Sequence, residues 1–224
     1  MRFISQSLVL LAATCLVSIN VNAKHKAPPV GHQEVLPDKC PLIGARPDGS
    51  PPGQRERTLN PKKNRRTAPT PQDIDKSVSL AKMLANGNDQ TRFDEKKGAE
   101  ISGYVVNVEQ GGHPETANCG NLTEELTDTH ITIAVGNTND LTQTLVIEVT
   151  PWWREAMKAQ GVDWTTATLR KTIKGKTIKV RGWLLFDLDH IDEAINTRKA
   201  DAKKNPWRKT IWEIHPVTAI EVIH

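Results

Sequence analysis

From about residue 100 onward, apolar and polar positions alternate with the period of a β-strand. Residues 100–109 (EISGYVVNVE) predict a first strand, with Gly103 as a bend or bulge within it. Residues 129–135 (THITIAV) predict a second, with Ile131, Ile133 and Val135 facing inward. After the turn cluster Asn137-Thr138-Asn139-Asp140, residues 143–150 predict a third. Residues 176–186 predict a fourth, with Ile178, Val180, Gly182, Leu184 and Phe186 on one face. The last stretch, 210–223, reads TIWEIHPVTAIEVI. Ile211, Glu213 and His215 point one way there, and Trp212 and Ile214 the other. Pro216 has no N–H to give a ladder and so bends or breaks the strand.

Three stretches change to the helical period. In residues 151–160 (PWWREAMKAQ), Pro151 sits at the permitted first position and Gly161 just past the end. Residues 165–173 predict a second short helix. Residues 73–86 predict a third, with Ile74, Val78, Ala81 and Leu84 or Ala85 on one stripe and Gly87 as its stop. Residues 110–127 form a long polar loop. Three strands, a helix and two strands is the order of the oligonucleotide/oligosaccharide-binding (OB) barrel. The expected fold is mainly β: a small five-stranded OB-fold-like barrel with one or two helices, preceded by a Pro-rich N-terminal strap. Gly103 and Gly182 suit strands that must bend to close such a barrel. The alternative is another α+β sheet.

The N-terminal third has no such periodicity. Arg2 precedes an apolar run over 8–21, and Val21-Asn22-Ala23 fits small-x-small cleavage, so residues 1–23 read as a signal peptide. The alternative, an uncleaved anchor, needs a longer apolar run. Residues 24–72 hold ten of the fourteen prolines and read as a Pro-rich basic arm. Residues 73–98 read as helix and linker, and 99–224 as the barrel domain. Charge follows this division. The net +4 combines +1 from Arg2, +6 in the arm and −3 over residues 73–224, so the barrel itself is mildly acidic. That excludes a strongly phosphate-neutralising face across the whole domain. The mature chain keeps Cys40 and Cys119, which in an exported protein suggest one disulfide. The expected location is the periplasm or the exterior, with no transmembrane span after cleavage near Ala23.

Chemistry-bearing side chains recur at strand ends. Asp128 and His130 open strand two, Asp187, Asp189 and His190 follow strand four, Glu213 and His215 lie in strand five, and His113 is in the long loop. Glu213 and His215 read first as structural groups that pin the bent strand, with Arg181 or backbone as partners. The alternative is a divalent-metal set of Asp187, His190, Glu213 and His215, since imidazole and carboxylate together suit zinc and similar ions. In OB barrels the loops between strands 1 and 2 and between strands 4 and 5 flank the ligand face. Arg198, Lys199, Lys203, Lys204, Trp207 and Arg208, in the second of these loops, are therefore the candidate ligand-binding residues for an anionic ligand. Nucleophile-elbow and P-loop motifs are absent, which argues against serine-hydrolase and nucleotide-hydrolase readings.

The strings EISGYV, GGHPETANC, DTHITI, IEVTPWWR, GWLLFDLDH and WEIHPVT resemble a family of secreted bacterial proteins, over roughly residues 38–223. Lys63-Asn64-Arg65 matches the end of that family's cysteine-containing strap. The resemblance implies an exported OB-like domain and supplies no reaction. The reading that results is an exported binding domain whose ligand is an anionic polymer, an oligosaccharide or a protein partner. The alternative is a metal-dependent hydrolase acting on phosphodiesters. No organic cofactor is expected, and a divalent metal is the one cofactor these residue types admit.

Overall fold

The computed structural model describes residues 33–112, 114–197 and 205–223. The leader, His113, Arg198, Lys199, Lys203 and Lys204 lie outside the described residues.

The arm is folded from residue 33 onward, contrary to its linker-like composition. It contains a helix, α1 (Gln54–Lys63), that buries only Leu59, Asn60 and Lys63. With no apolar stripe to signal it, α1 is held by polar contacts. Asn60 Nδ2 donates to Ile43 O at 2.7 Å and to Thr116 Oγ1 at 3.0 Å. Asn64, just past its end, donates to Leu42 O and Ala117 O. The Cys40–Cys119 disulfide, closing a separation of 79 residues, ties the arm to the barrel. A crosslink over such a loop contributes on the order of 4 kcal/mol in the chain-entropy account. The arm is thus a strap.

The helix expected over residues 73–86 shrinks to α2 (Leu80–Met83), with Ser79 as its cap. The backbone of the preceding residues is used elsewhere. Gly98 N donates to Asp73 O and Asp75 N to Gly98 O, so this segment extends the sheet and has no helical bonds to spare.

The barrel is formed by β1 (Gly98–Gln110), β2 (Thr129–Ala134), β3 (Leu145–Val149), β4 (Thr177–Phe186) and β5 (Trp212–Ile223). Their order is β1-β2-β3-β5-β4, and β4 closes on β1. All pairings are antiparallel except β3 with β5, which meet in parallel at Ile147 and Ile214. Helices α3 (Pro151–Lys158) and α4 (Thr166–Ile173) lie between β3 and β4, each capped by a threonine hydroxyl. This is the OB topology expected from the strand order.

The interior is filled by Val105, Ile131, Ile133, Leu145, Ile147, Val149, Ile178, Val180, Leu184, Trp212 and Ile214. Val135 is not among them: β2 ends at Ala134, and Val135 is 75% exposed. Pro216 bends β5 without ending it. The irregularity appears across the ladder, where β4 shifts register on both sides of Gly182. A Cβ on Gly182 would stand 2.3 Å from Pro216 O and 2.5 Å from Ile214 Cγ2. The bulge in β1 falls between Val105 and Asn107 rather than at Gly103, which is a site of close approach by Leu80. Gly182→Ala is expected to cost at least ~1–3 kcal/mol by overpacking, read as a drop in melting temperature. A melt unchanged from wild type would contradict this account of barrel closure.

No helix among the described residues is long and apolar enough to cross a membrane.

Candidate functional site: a buried polar face beneath the strap

The strands that send Ile131, Ile147, Trp212 and Ile214 inward send the residues between them outward. His130 on β2 lies opposite Glu148 on β3. The pairing of Ile147 with Ile214 sets Glu148 beside Glu213 and His215 of β5. An outward strand face ordinarily meets water, yet Glu148, Glu213 and His215 are essentially unexposed. Three segments cover them. The end of α1 brings Lys63. The loop between β1 and β2 brings Glu115, Asn118 and Asp128. The loop between β4 and β5 brings Asp187, Asp189, His190 and Arg208. These are the strands and loops that flank the ligand face of an OB barrel.

Within this layer two groups form, each with donor atoms inside 4.8 Å of one another: Asp187, His190 and Glu213, and Asp128, Glu148 and His215. The four residues expected from sequence as one metal set are therefore split, and His215 joins two partners from other strands.

The first group is largely satisfied, by contacts within it and by Lys63 and Arg208 beside it, with Glu213 Oε2 the exception. Asp187 Oδ2 lies 2.8 Å from His190 Nδ1 and 3.1 Å from Lys63 Nζ. Lys63 also reaches Glu115 Oε2 at 3.3 Å. Glu213 Oε1 accepts from Arg208 Nη1 at 2.6 Å. Arg208 is Glu213's partner in place of the expected Arg181, which pairs with Glu100 on the surface. Burial alone would raise the Asp187 carboxyl, but Lys63 and His190 outweigh it and hold the group well below the usual carboxylate range.

The second group is not satisfied. Asp128 Oδ2 accepts from Asn118 Nδ2 at 2.8 Å, but its Oδ1 has no hydrogen-bond partner among the described residues. The same holds for Glu148 Oε2, Glu213 Oε2 and both ring nitrogens of His215. His215 Nδ1 sits 3.2 Å from Glu148 Oε2 and 3.5 Å from Glu213 Oε2, and Nε2 lies 4.0 Å from Asp128 Oδ2. These are ion-pair distances without hydrogen-bond alignment. His130 Nε2, 3.0 Å from Glu148 Oε1, is likewise misaligned.

Electrostatics describe the same centre. The fully buried carboxylates Asp128, Glu148, Asp187 and Glu213 share this layer with the cations Lys63 and Arg208. Burial, reinforced by Glu148, pushes Asp128 up to about 6 despite the opposing His215. Burial works against the His215 imidazolium, yet Glu148 and Glu213 raise it to about 9. Burial is similarly overridden at His130, raised to about 10 mainly by Glu148. The centre attracts positive charge.

The described end of the basic loop is engaged internally. Arg208 is buried against Glu213, and Lys209 donates to Asn86 Oδ1 at 2.6 Å. Trp207 Nε1 donates to Glu193 Oε2 at 3.0 Å. The basic run of the strap is also engaged internally. Arg65 stacks on Trp183 and donates to Glu95 O, and Arg66 donates to Cys40 O.

Glu148 and Lys63 were not among the candidates from sequence. Glu148 had a readable signal, a lone carboxylate in the strand LVIEV. Lys63 had none, because its helix lacks a periodic stripe.

No protein-family model and no curated protein matches the chain. Among solved structures, the crystal structure of yeast Stn1 and Ten1 is 14% identical, covering 57% of this chain and 43% of that one, with a TM-score of 0.26. The aspartyl-tRNA synthetase of Entamoeba histolytica is 14% identical, covering 70% and 26%, with a TM-score of 0.31. The chain spans less than half the length of either.

Proposed function

We propose that this chain is an exported, metal-binding OB-like domain. It holds one divalent ion on the covered outer face of β2, β3 and β5, through Asp128, Glu148 and His215. The observation that carries this reading is His215, a wholly buried imidazole with both nitrogens unbonded among the described residues, its Nδ1 turned to Glu148 Oε2, which also lacks a partner, and its Nε2 turned to the Asp128 carboxylate, whose Oδ1 lacks one. A buried polar group without a partner costs ~1–3 kcal/mol, so several in one place indicate a ligand that supplies the missing contacts. One imidazole and two carboxylates suit zinc or manganese.

Three protein donors leave a coordination position for water or substrate, the arrangement of catalytic zinc rather than structural zinc. Metal-assisted hydrolysis is the reaction class that such a position serves. Export rests on the leader read in residues 1–23 and accords with the Cys40–Cys119 disulfide.

The test is a melting curve of metal-stripped protein titrated with zinc or manganese. An ion at a hundred times its dissociation constant stabilises by about 2.7 kcal/mol. The expected result is a saturable rise in melting temperature. A flat response to both ions overturns the metal reading and returns the cluster to a purely structural role.

A further inference from the structure

Arg208 is buried, with 1% of its surface exposed, and only one of its three nitrogens is used. Nη1 donates to Glu213 Oε1 at 2.6 Å, while Nε and Nη2 have no hydrogen-bond partner among the described residues. Its Cζ lies 5.5 Å from the centre of the Trp207 ring. Nε and Nη2 are the two donors of one guanidinium edge. Such an edge matches two oxygens of a phosphate or carboxylate in parallel hydrogen bonds.

Resting on the metal reading above, we propose that this edge is an oxyanion subsite beside the metal centre, and that the domain takes an anionic ligand bearing a phosphoryl or carboxylate group. Glu213 links the two places: Oε1 holds Arg208, and Oε2 lies 3.5 Å from His215. The Glu213 and Asp187 carboxylates act on Arg208 and oppose a second anion beside it. A divalent ion next to Glu213 adds positive charge that offsets this opposition, so the two ligands bind with positive coupling.

Inorganic phosphate and acetate are the probes, titrated by calorimetry into manganese-loaded and metal-free wild-type protein and into Arg208→Lys. Lysine keeps a cation opposite Glu213 and removes the fork. Phosphate is expected to bind the manganese-loaded wild type, with affinity at least ~10-fold lower in Arg208→Lys. A response to phosphate but not acetate assigns a phosphoryl ligand, and the reverse assigns a carboxylate. Line broadening of the 31P resonance by bound manganese gives a second reading, which does not depend on the variant folding. Failure of both anions to bind wild-type protein, equal affinity in Arg208→Lys, or absent 31P broadening with phosphate bound overturns the subsite. Metal uptake without an anion response sinks the subsite alone. Anion binding that is sensitive to Arg208→Lys, in a protein that takes up no metal, sinks the metal reading alone.

Discussion

His215→Ala is expected to remove the metal site. The ring is wholly buried but makes no aligned hydrogen bond among the described residues, so its loss breaks no backbone connection. Its carboxylate neighbours keep other contacts: Glu148 still faces His130 at 3.0 Å, and Glu213 still holds Arg208 at 2.6 Å. What disappears is the only nitrogen among the three proposed ligands. Losing an outer-shell partner of a ligand already lowers metal affinity ~10–100-fold, and losing the ligand itself lowers it further. The gap in melting temperature between wild type and His215→Ala is expected to be much wider in saturating zinc than in chelator. A gap of the same size in both would instead mark His215 as a structural residue, the role the sequence first suggests.

Lys63→Met is expected to destabilise the protein by ~3–5 kcal/mol, the cost of leaving buried charge without its partner. Lys63 Nζ is the strap's contribution to the polar layer, 3.1 Å from Asp187 and 3.3 Å from Glu115. Burial disfavours its ammonium, but Glu115 and Asp187 more than reverse this and raise it well above its usual value. The pH dependence has a definite sign. Asp187 is held below its unfolded value of about 4, so its contribution is complete above that pH and is lost as the pH falls towards the folded value. Removing Lys63 takes away the strongest lowering influence on Asp187. The gap between wild type and Lys63→Met is therefore largest near neutrality and narrows below about pH 4. Denaturant melts at neutral and acid pH check it. A gap that stays constant or widens on acidification would mean that Lys63 acts through packing of its stem rather than through charge.

The barrel was legible because its strands are amphipathic along their length. Alternation in 129–134, a β-branched apolar run over 145–149 and a Pro-started helix after them point to the OB order. The strap was not legible. Its helix buries Asn60 and Lys63 where a sequence reader looks for leucines, so proline content dominated its appearance. The site was half legible for the same reason. Glu213 and His215 were visible as polar residues in an apolar strand, and Asp187 and His190 as a cluster after β4. Their grouping depends on the parallel contact of β3 with β5 at a single residue pair, a long-range register that no local pattern carries. That contact brings Glu148 to His215 and separates His215 from Asp187. Arg208 was read as one of several ligand-contacting cations of a charged loop, and its burial was not legible because such a loop is ordinarily solvated. Its burial becomes visible only once Glu213 is known to face the same layer.

The central claim is that the polar layer under the strap is a metal centre, and the metal content of the purified protein tests it most directly. Elemental analysis after purification without chelator is expected to give about one zinc or manganese per chain, falling to background in His215→Ala and Glu148→Gln. A folded, cooperatively melting wild-type protein at background metal, which takes up none on dialysis against zinc or manganese, would contradict it.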